Sequence, residues 1–117
     1  MTRPPVTGLP LLQGTLDLLI LTALERGPAH GYAVAETIRA ASEEALQIED
    51  GALYTALKRM HKRGWLESEW GISETNRRAK YYQLTQRGHD ELAQSRRAWD
   101  AYRVAVGKVL SLGEASG

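Results

Sequence analysis

The residues best suited to acid–base chemistry near neutral pH are the three histidines. His30, His61 and His89 fall on three different predicted helices, and no serine, histidine and carboxylate share a recognisable local context. The chain has no cysteine, which removes thiol nucleophiles, disulfides and thiolate metal ligands together. His89 with Asp90, or His30 with Glu36, could be drawn as metal ligands. Without a spaced cluster, they read as surface polar residues. There is no glycine-rich loop to cradle a phosphate. The sequence therefore points away from an enzyme and implies no catalytic residue, metal or cofactor.

Cations carry the stronger signal, and they concentrate between Ile48 and Leu84. Glu49 and Asp50 can cap a helix in which Leu53, Ala56, Leu57 and Met60 recur at helical spacing and share one face. On a helical wheel Gly51, Tyr54, Thr55, Lys58 and Lys62 fall on the other side. That outer face is basic, carries hydroxyls and one ring, and begins small, as suits a helix that meets a polyanion closely at its first turn. Gly64 ends the helix, with Lys62 and Arg63 in its last turn. Two strands follow, Trp65–Trp70 and Ala79–Leu84, joined by the polar tip Gly71–Arg78. Arg77, Arg78 and Lys80 sit close together on the C-terminal side of that tip.

Charges on the outside of a helix are usually only solvated, and for this helix alone that reading would win. A basic hairpin directly after a basic helix shifts the balance. This order outlines a winged helix-turn-helix, an α+β fold whose helix enters the major groove while the hairpin reaches phosphate or the minor groove. Thr55 and Lys58 are placed to reach base edges, and Lys62 with the hairpin cations to touch phosphate. Tyr54 is expected to half-bury against Tyr32 or to meet the DNA backbone.

The rest of the chain must position these groups. At 117 residues it fits one small domain with an appendage, and a partner subunit would help so short a chain bury a core. The hydrophobic fraction of 43% and charged fraction of 25% are those of a globular protein. A net charge of +1 says nothing by itself about nucleic acid; the clustering does. Residues 1–9 read as a loose arm. A first helix is predicted over Leu11–Arg26, too interrupted by Gln13 and Asp17 to span a membrane. It is apolar on nearly all sides, so one face should contact its own domain and another a second subunit. A second helix begins at Ala29–Tyr32 and runs to Ala41, with Tyr32, Val34, Ala35 and Ile38 inward. Residues 42–47 connect it to the basic helix, and part of them can extend it.

Thr85 is a candidate N-cap for a last helix reaching Leu110, about 38 Å long at about 1.5 Å per residue. Leu92, Trp99 and Val106 repeat at sevens, as do Ser95, Tyr102 and Val109, in the manner of a short coiled coil. Leu12, Leu16, Leu92, Trp99, Tyr102, Val106 and Val109 are thus the expected dimer contacts. The domains divide as 1–84, the winged helix, and 85–117, the dimerisation helix and tail. Trp99 has two readings. The plainer is dimer packing. The other is that two symmetry-related Trp99 rings, with Tyr102, leave a flat slot for an aromatic ligand.

At this point the residues resemble something known. Leu12-Gln13-Gly14-Thr15-Leu16-Asp17, Gly27-Pro28-Ala29-His30-Gly31-Tyr32, Asp50 through Met60, Gly64-Trp65-Leu66 and Arg77 through Gly88 are together similar to the PadR family of bacterial transcriptional regulators, in order and in spacing. The single C-terminal helix resembles the family's smaller subgroup. The resemblance implies a cytoplasmic, homodimeric winged-helix repressor of an inverted-repeat operator in double-stranded DNA. It implies that Tyr54 and Lys58 match positions that lie at the DNA, and that Arg77, Arg78 and Lys80 match the basic wing. It also implies that the first and last helices pair the subunits. In multidrug-sensing relatives a tryptophan at the place of Trp99 stacks on planar drugs; other relatives respond to phenolic acids or have no known effector. Two departures stand out. Thr55 replaces a common proline, which bears on base preference, and Met60-His61 replaces a common Leu-Glu. A protein-interaction adaptor on the same fold would want an acidic or apolar helix at Gly51–Lys62, which this is not.

Overall fold

A computed structural model describes residues 14–115. Along the chain come α1 (Thr15–Leu24), β1 (Ala29–His30), α2 (Gly31–Ala41), α3 (Asp50–Lys62), β2 (Leu66–Ile72), β3 (Arg78–Leu84) and α4 (Gln86–Ala115). Leu12 and the expected helix start at Leu11 lie outside the described residues. The antiparallel sheet has the order β1-β3-β2. The architecture is the α+β winged helix that the sequence outlines, with a long C-terminal helix.

The core lies where the three-helix cluster meets the root of the hairpin. Ile20, Leu21 and Leu24 of α1 meet Val34 and Ile38 of α2, and Leu53, Ala56, Leu57 and Met60 of α3. The predicted inner face of α3 is thus the buried one, which fixes its basic face outward. Leu66, Tyr82 and Leu84 close the core from the sheet, and Leu92 closes it from α4. Burying each such large side chain is worth about 1.5–3 kcal/mol, so α3 is seated firmly by its apolar stripe.

Several local expectations are corrected. Where the sequence predicts the start of the second helix, Ala29 and His30 instead form β1 and pair with Tyr82 and Tyr81. Two residues are too few to show a strand period. α2 therefore starts at Gly31, and His30 caps it: its Nδ1 accepts a hydrogen bond from the Ala33 N–H at 3.2 Å. Tyr32, predicted inward, is 69% exposed. It lies two residues before Val34, about 200° round the helix, so burying Val34 and Ile38 turns it out. The connector does not extend α2. Glu43 and Glu44 take left-handed backbone angles, φ 54° and 67°, that end the helix, and Ser42 Oγ accepts from the Leu46 N–H at 3.0 Å. Glu49 precedes α3 without any side-chain cap, so the expected acidic N-cap is not formed.

The two ends that matter most for the wing follow the sequence. α3 stops at Gly64, whose φ of 81° suits a residue without Cβ. The Trp65 N–H then bonds to the Met60 carbonyl and the Gly64 N–H to the His61 carbonyl, both at 3.0 Å, satisfying the last carbonyls of the helix. Thr85 caps α4, its Oγ1 accepting from the Gly88 N–H at 3.1 Å. The same hydroxyl donates to the Gly64 carbonyl at 2.6 Å, tying the start of α4 to the end of α3.

α4 runs five residues past the expected end at Leu110. Gly107 does not break it. Leu92, expected on a dimer seam, is only 2% exposed and belongs to the domain's own core. The heptad reading fails there because α4 first lies across α1 of its own chain. Further along, none of the other described residues covers the helix, and Tyr102, Val104, Val109, Leu110 and Leu112 are exposed.

Candidate nucleic-acid interface

The packing of α3 leaves Gly51, Tyr54, Thr55, Lys58 and Lys62 in solvent along one face. They recur at three and four residues, so they form a continuous stripe. Tyr54 anchors the stripe to the rest of the surface. Its ring lies so close over Gly31 that a Cβ there would come within 2.7 Å of it. The ring therefore rests on the first residue of α2, next to Tyr32 in sequence. Beneath it, Tyr82 is buried, and that burial, followed by the nearby Tyr54, pushes its hydroxyl pKa up. Tyr82 stays a neutral hydrogen-bonding group at ordinary pH.

The wing faces this stripe across a groove of about 640 Å³. One wall is Tyr54 with His30, Gly31 and Tyr32; the other is Trp70, Arg77, Arg78 and Lys80. The hairpin holds that second wall by register. Trp70 lies opposite Lys80 and Ile72 opposite Arg78. Alternation along the strands puts these four side chains on one face. At the tip, Asn76 adopts φ 60°, the Ser73 N–H bonds to the Arg77 carbonyl at 2.8 Å, and the Tyr81 hydroxyl donates to the Ile72 carbonyl at 3.1 Å.

Ion pairing separates two sets of cations. Arg39 is held by Glu36 and Glu44, Arg59 by Asp17, Arg96 by Glu25 and Arg103 by Asp100. Lys58, Lys62, Arg77, Arg78 and Lys80 have no carboxylate partner among the described residues. The first set ties elements together; Arg59, for example, joins α3 to α1. The second set is free to meet an anion and lies along the α3 stripe and the wing; Arg26, Arg63, Arg87, Arg97 and Lys108 are also without an ion pair among the described residues but lie outside that surface. The structure thus brings Tyr54 and all three wing cations to one groove, with Thr55, Lys58 and Lys62 continuing the α3 face away from it.

Sequence reasoning missed three contributors to the groove. The sequence predicts Trp70 only as a strand residue, yet Arg78 and Lys80 lie over its ring at 4.5 and 5.9 Å from the centroid. His30 packs edge-on against Tyr81, with ring centroids 5.3 Å apart. Tyr32 stands exposed at the groove's edge. Only the strand register could have shown that Trp70 and Lys80 face each other.

A second cavity, of about 600 Å³, lies between α1 and α4. Gly14, Leu18, Ser95, Trp99 and Tyr102 line it, with the Trp99 and Tyr102 rings 6.3 Å apart and tilted by 33°. Trp99 is 38% exposed and Tyr102 more so. Of the remaining expected dimer contacts, Leu16 is half-buried against the core, and Val106 and Val109 lie on the uncovered part of α4. Among the described residues no cluster of His, Cys, Asp and Glu could hold a metal, and no helix is long and apolar enough to cross a membrane.

Comparison with known proteins yields a consistent set. The model of the PadR-like family of transcriptional regulators matches residues 20–94. A transcriptional regulator of Clostridium thermocellum is 31% identical, with a TM-score of 0.75 over 82% of this chain and 93% of that one. A PadR family transcription regulator of Clostridium difficile is 31% identical, with a TM-score of 0.72 over 83% of this chain and 99% of that one. Bacillus subtilis PadR, solved in complex with operator DNA, is 25% identical with a TM-score of 0.61; the match covers 68% of this chain and 45% of that longer one.

Proposed function

The chain belongs to the PadR-like family of transcriptional regulators, DNA-binding proteins and not enzymes, and from this premise we propose that it is a homodimeric bacterial repressor of an inverted-repeat operator, working in the cytoplasm. The observation that carries the reading is the clustering of exposed, unpaired cations on the α3 face and the wing. Lys58 and Lys62 on α3 and Arg77, Arg78 and Lys80 on the wing are exposed and free of carboxylates, while the neighbouring Arg59 is tied down by Asp17. Arg26, Arg63, Arg87, Arg97 and Lys108 are likewise in no ion pair among the described residues, so it is the clustering of five exposed cations on α3 and the wing, and not the lack of partners alone, that supports the reading. In this reading α3 enters the major groove. Its small first turn at Gly51 allows close approach, and Thr55 and Lys58 reach base edges. Tyr54, Lys62 and the wing cations hold the phosphates on either side. Binding in that position would block transcription from an overlapping promoter.

Dimerisation is supported by the uncovered C-terminal half of α4, whose row of exposed valines and leucines would cost free energy in a monomer. Two α4 helices, each packing on α1 of the other subunit, would cover it. Such a two-fold dimer presents its α3 helices to half-sites about 34–36 Å apart.

A second reading, an effector-responsive repressor, is favoured by the Trp99 and Tyr102 cavity. Two rings with an apolar floor at Leu18 suit a planar aromatic compound of the multidrug or phenolic kind. Pairing of subunits would bring two such walls together.

The test is selection of bound fragments from random duplex DNA, followed by affinity measurements at several salt concentrations. A two-fold-symmetric motif is expected. Lys80→Ala should flatten the slope of log affinity against log salt by about one unit, as the loss of one phosphate contact does. Lys58→Ala should weaken the selected sequence more than unrelated DNA. If both variants bind as the wild type does, the assigned surface is wrong.

A further inference from the structure

Trp70 has an unusual setting. The indole is 56% exposed, yet its face is occupied. The Arg78 guanidinium carbon lies 4.5 Å from its centroid and the Lys80 ammonium 5.9 Å away. Register explains both contacts. Lys80 is the direct cross-strand partner of Trp70, and Arg78, opposite Ile72, is the diagonal neighbour on the same face. A cation over an aromatic face is held by the ring's quadrupole, without spending its N–H donors. No carboxylate competes for either cation, since neither is in an ion pair among the described residues. Glu67 and Glu69, on the same strand as Trp70, alternate to the opposite face of the sheet. Arg77, the third wing cation, lies over no aromatic ring among the described residues.

We infer that Trp70 is a positioning residue for DNA binding: its indole holds Arg78 and Lys80 in the groove-facing arrangement in which they meet phosphate. The inference rests on the DNA-binding reading given above. Arg and Lys side chains lose rotamer freedom when they are immobilised at an interface. A ring that orders them beforehand removes part of that loss, roughly two- to tenfold in affinity for each side chain. Trp70 acts through the two cations and needs no contact of its own with the nucleic acid. It also divides the wing: Arg78 and Lys80 arrive ordered, and Arg77 arrives free.

The experiment uses the full chain and the duplex fragments it selects. Trp70→Leu keeps an apolar side chain but removes the π face. It should weaken binding about fivefold or more, the product of the two ordering losses. Trp70→Phe keeps a ring and should retain most of the affinity. In an Arg78→Ala/Lys80→Ala background, Trp70→Leu should change affinity less than about twofold, because nothing remains for the indole to order. An equal loss in both backgrounds would overturn the inference, since the indole would then touch DNA itself or merely prop the wing. So would a Phe variant as weak as the Leu variant. If the wild type binds selected duplex and Trp70→Leu is unchanged, the inference alone fails. If the wild type selects no duplex at all, the DNA-binding reading fails and the inference falls with it.

Discussion

Gly88→Ala sets helix propensity against tertiary packing, and the two predict opposite signs. Gly88 is the third residue of α4, where alanine would by propensity stabilise the helix by about 1 kcal/mol. The structure gives a different answer. A Cβ on Gly88 would lie 2.1 Å from the Trp65 carbonyl oxygen and 3.1 Å from its carbon. Ordinary contact begins near 3.4 Å, so helix and hairpin root must part by about 1.3 Å, the difference between the two distances. That neighbour is backbone and cannot swing away. The same carbonyl accepts the Thr85 N–H at 3.0 Å, and Thr85 Oγ1 is bonded to Gly64, so the α4 cap is strained as well. Leu92, one turn on, would lose part of its cover. Forced overpacking of this kind costs about 1–3 kcal/mol, and more where backbone is involved. A clash with rigid backbone belongs in the upper part of that range, about 2–3 kcal/mol, so after the propensity gain a net destabilisation of about 1–2 kcal/mol is expected. In thermal unfolding this would lower Tm by roughly 5–15 °C for a domain of this size. Urea and thermal unfolding at matched protein concentration measure it, the matching being needed if subunits associate. A Gly88→Ala protein as stable as the wild type, or more so, would refute the packing argument and show that α4 is not docked on Trp65 as described.

Three further outcomes are expected. Val109→Glu with Leu112→Glu on the uncovered part of α4 should leave the domain folded but shift its sedimentation from dimer to monomer; an unchanged dimer would place the interface elsewhere. A planar aromatic compound should quench Trp99 fluorescence in a protein whose Trp65 and Trp70 are replaced by Phe, and Trp99→Ala should abolish any effect of that compound on DNA binding; a full response in Trp99→Ala would rule the cavity out. The Arg96 hydrogen bond, opposed by partial burial and aided by the Arg96 charge, holds the Glu25 carboxyl below its ordinary value of 4.5. The stability that Glu25 contributes is thus present above that value and lost as pH falls through the depressed one. The urea midpoints of wild type and Glu25→Gln should accordingly differ most above about pH 5 and converge in acid. Curves that stay parallel would deny the link between α1 and α4.

What the sequence determined by itself was everything governed by neighbours three to four residues apart. Leu53, Ala56, Leu57 and Met60 had to share a face, so Tyr54, Thr55, Lys58 and Lys62 had to share the other. Gly64 had to stop α3, and Thr85 could start α4. These are helix geometry and capping, and they act within one or two turns of chain. The paired strands were legible from composition, and the order of helix and wing sufficed to place the basic groups in a winged helix. What the tertiary structure alone decided depends on elements meeting across the chain. β1 exists only because β3 offers it an edge. Tyr32 is turned out because Val34 and Ile38 have a core to enter. Leu92 leaves the expected dimer seam because the core of its own chain takes it in. Asp17 captures Arg59, taking it from the set of free cations that Lys58 belongs to. Trp70 finds Arg78 and Lys80 only through strand register. No local period encodes these contacts, because their free energy comes from surfaces far apart in sequence that are brought together by folding.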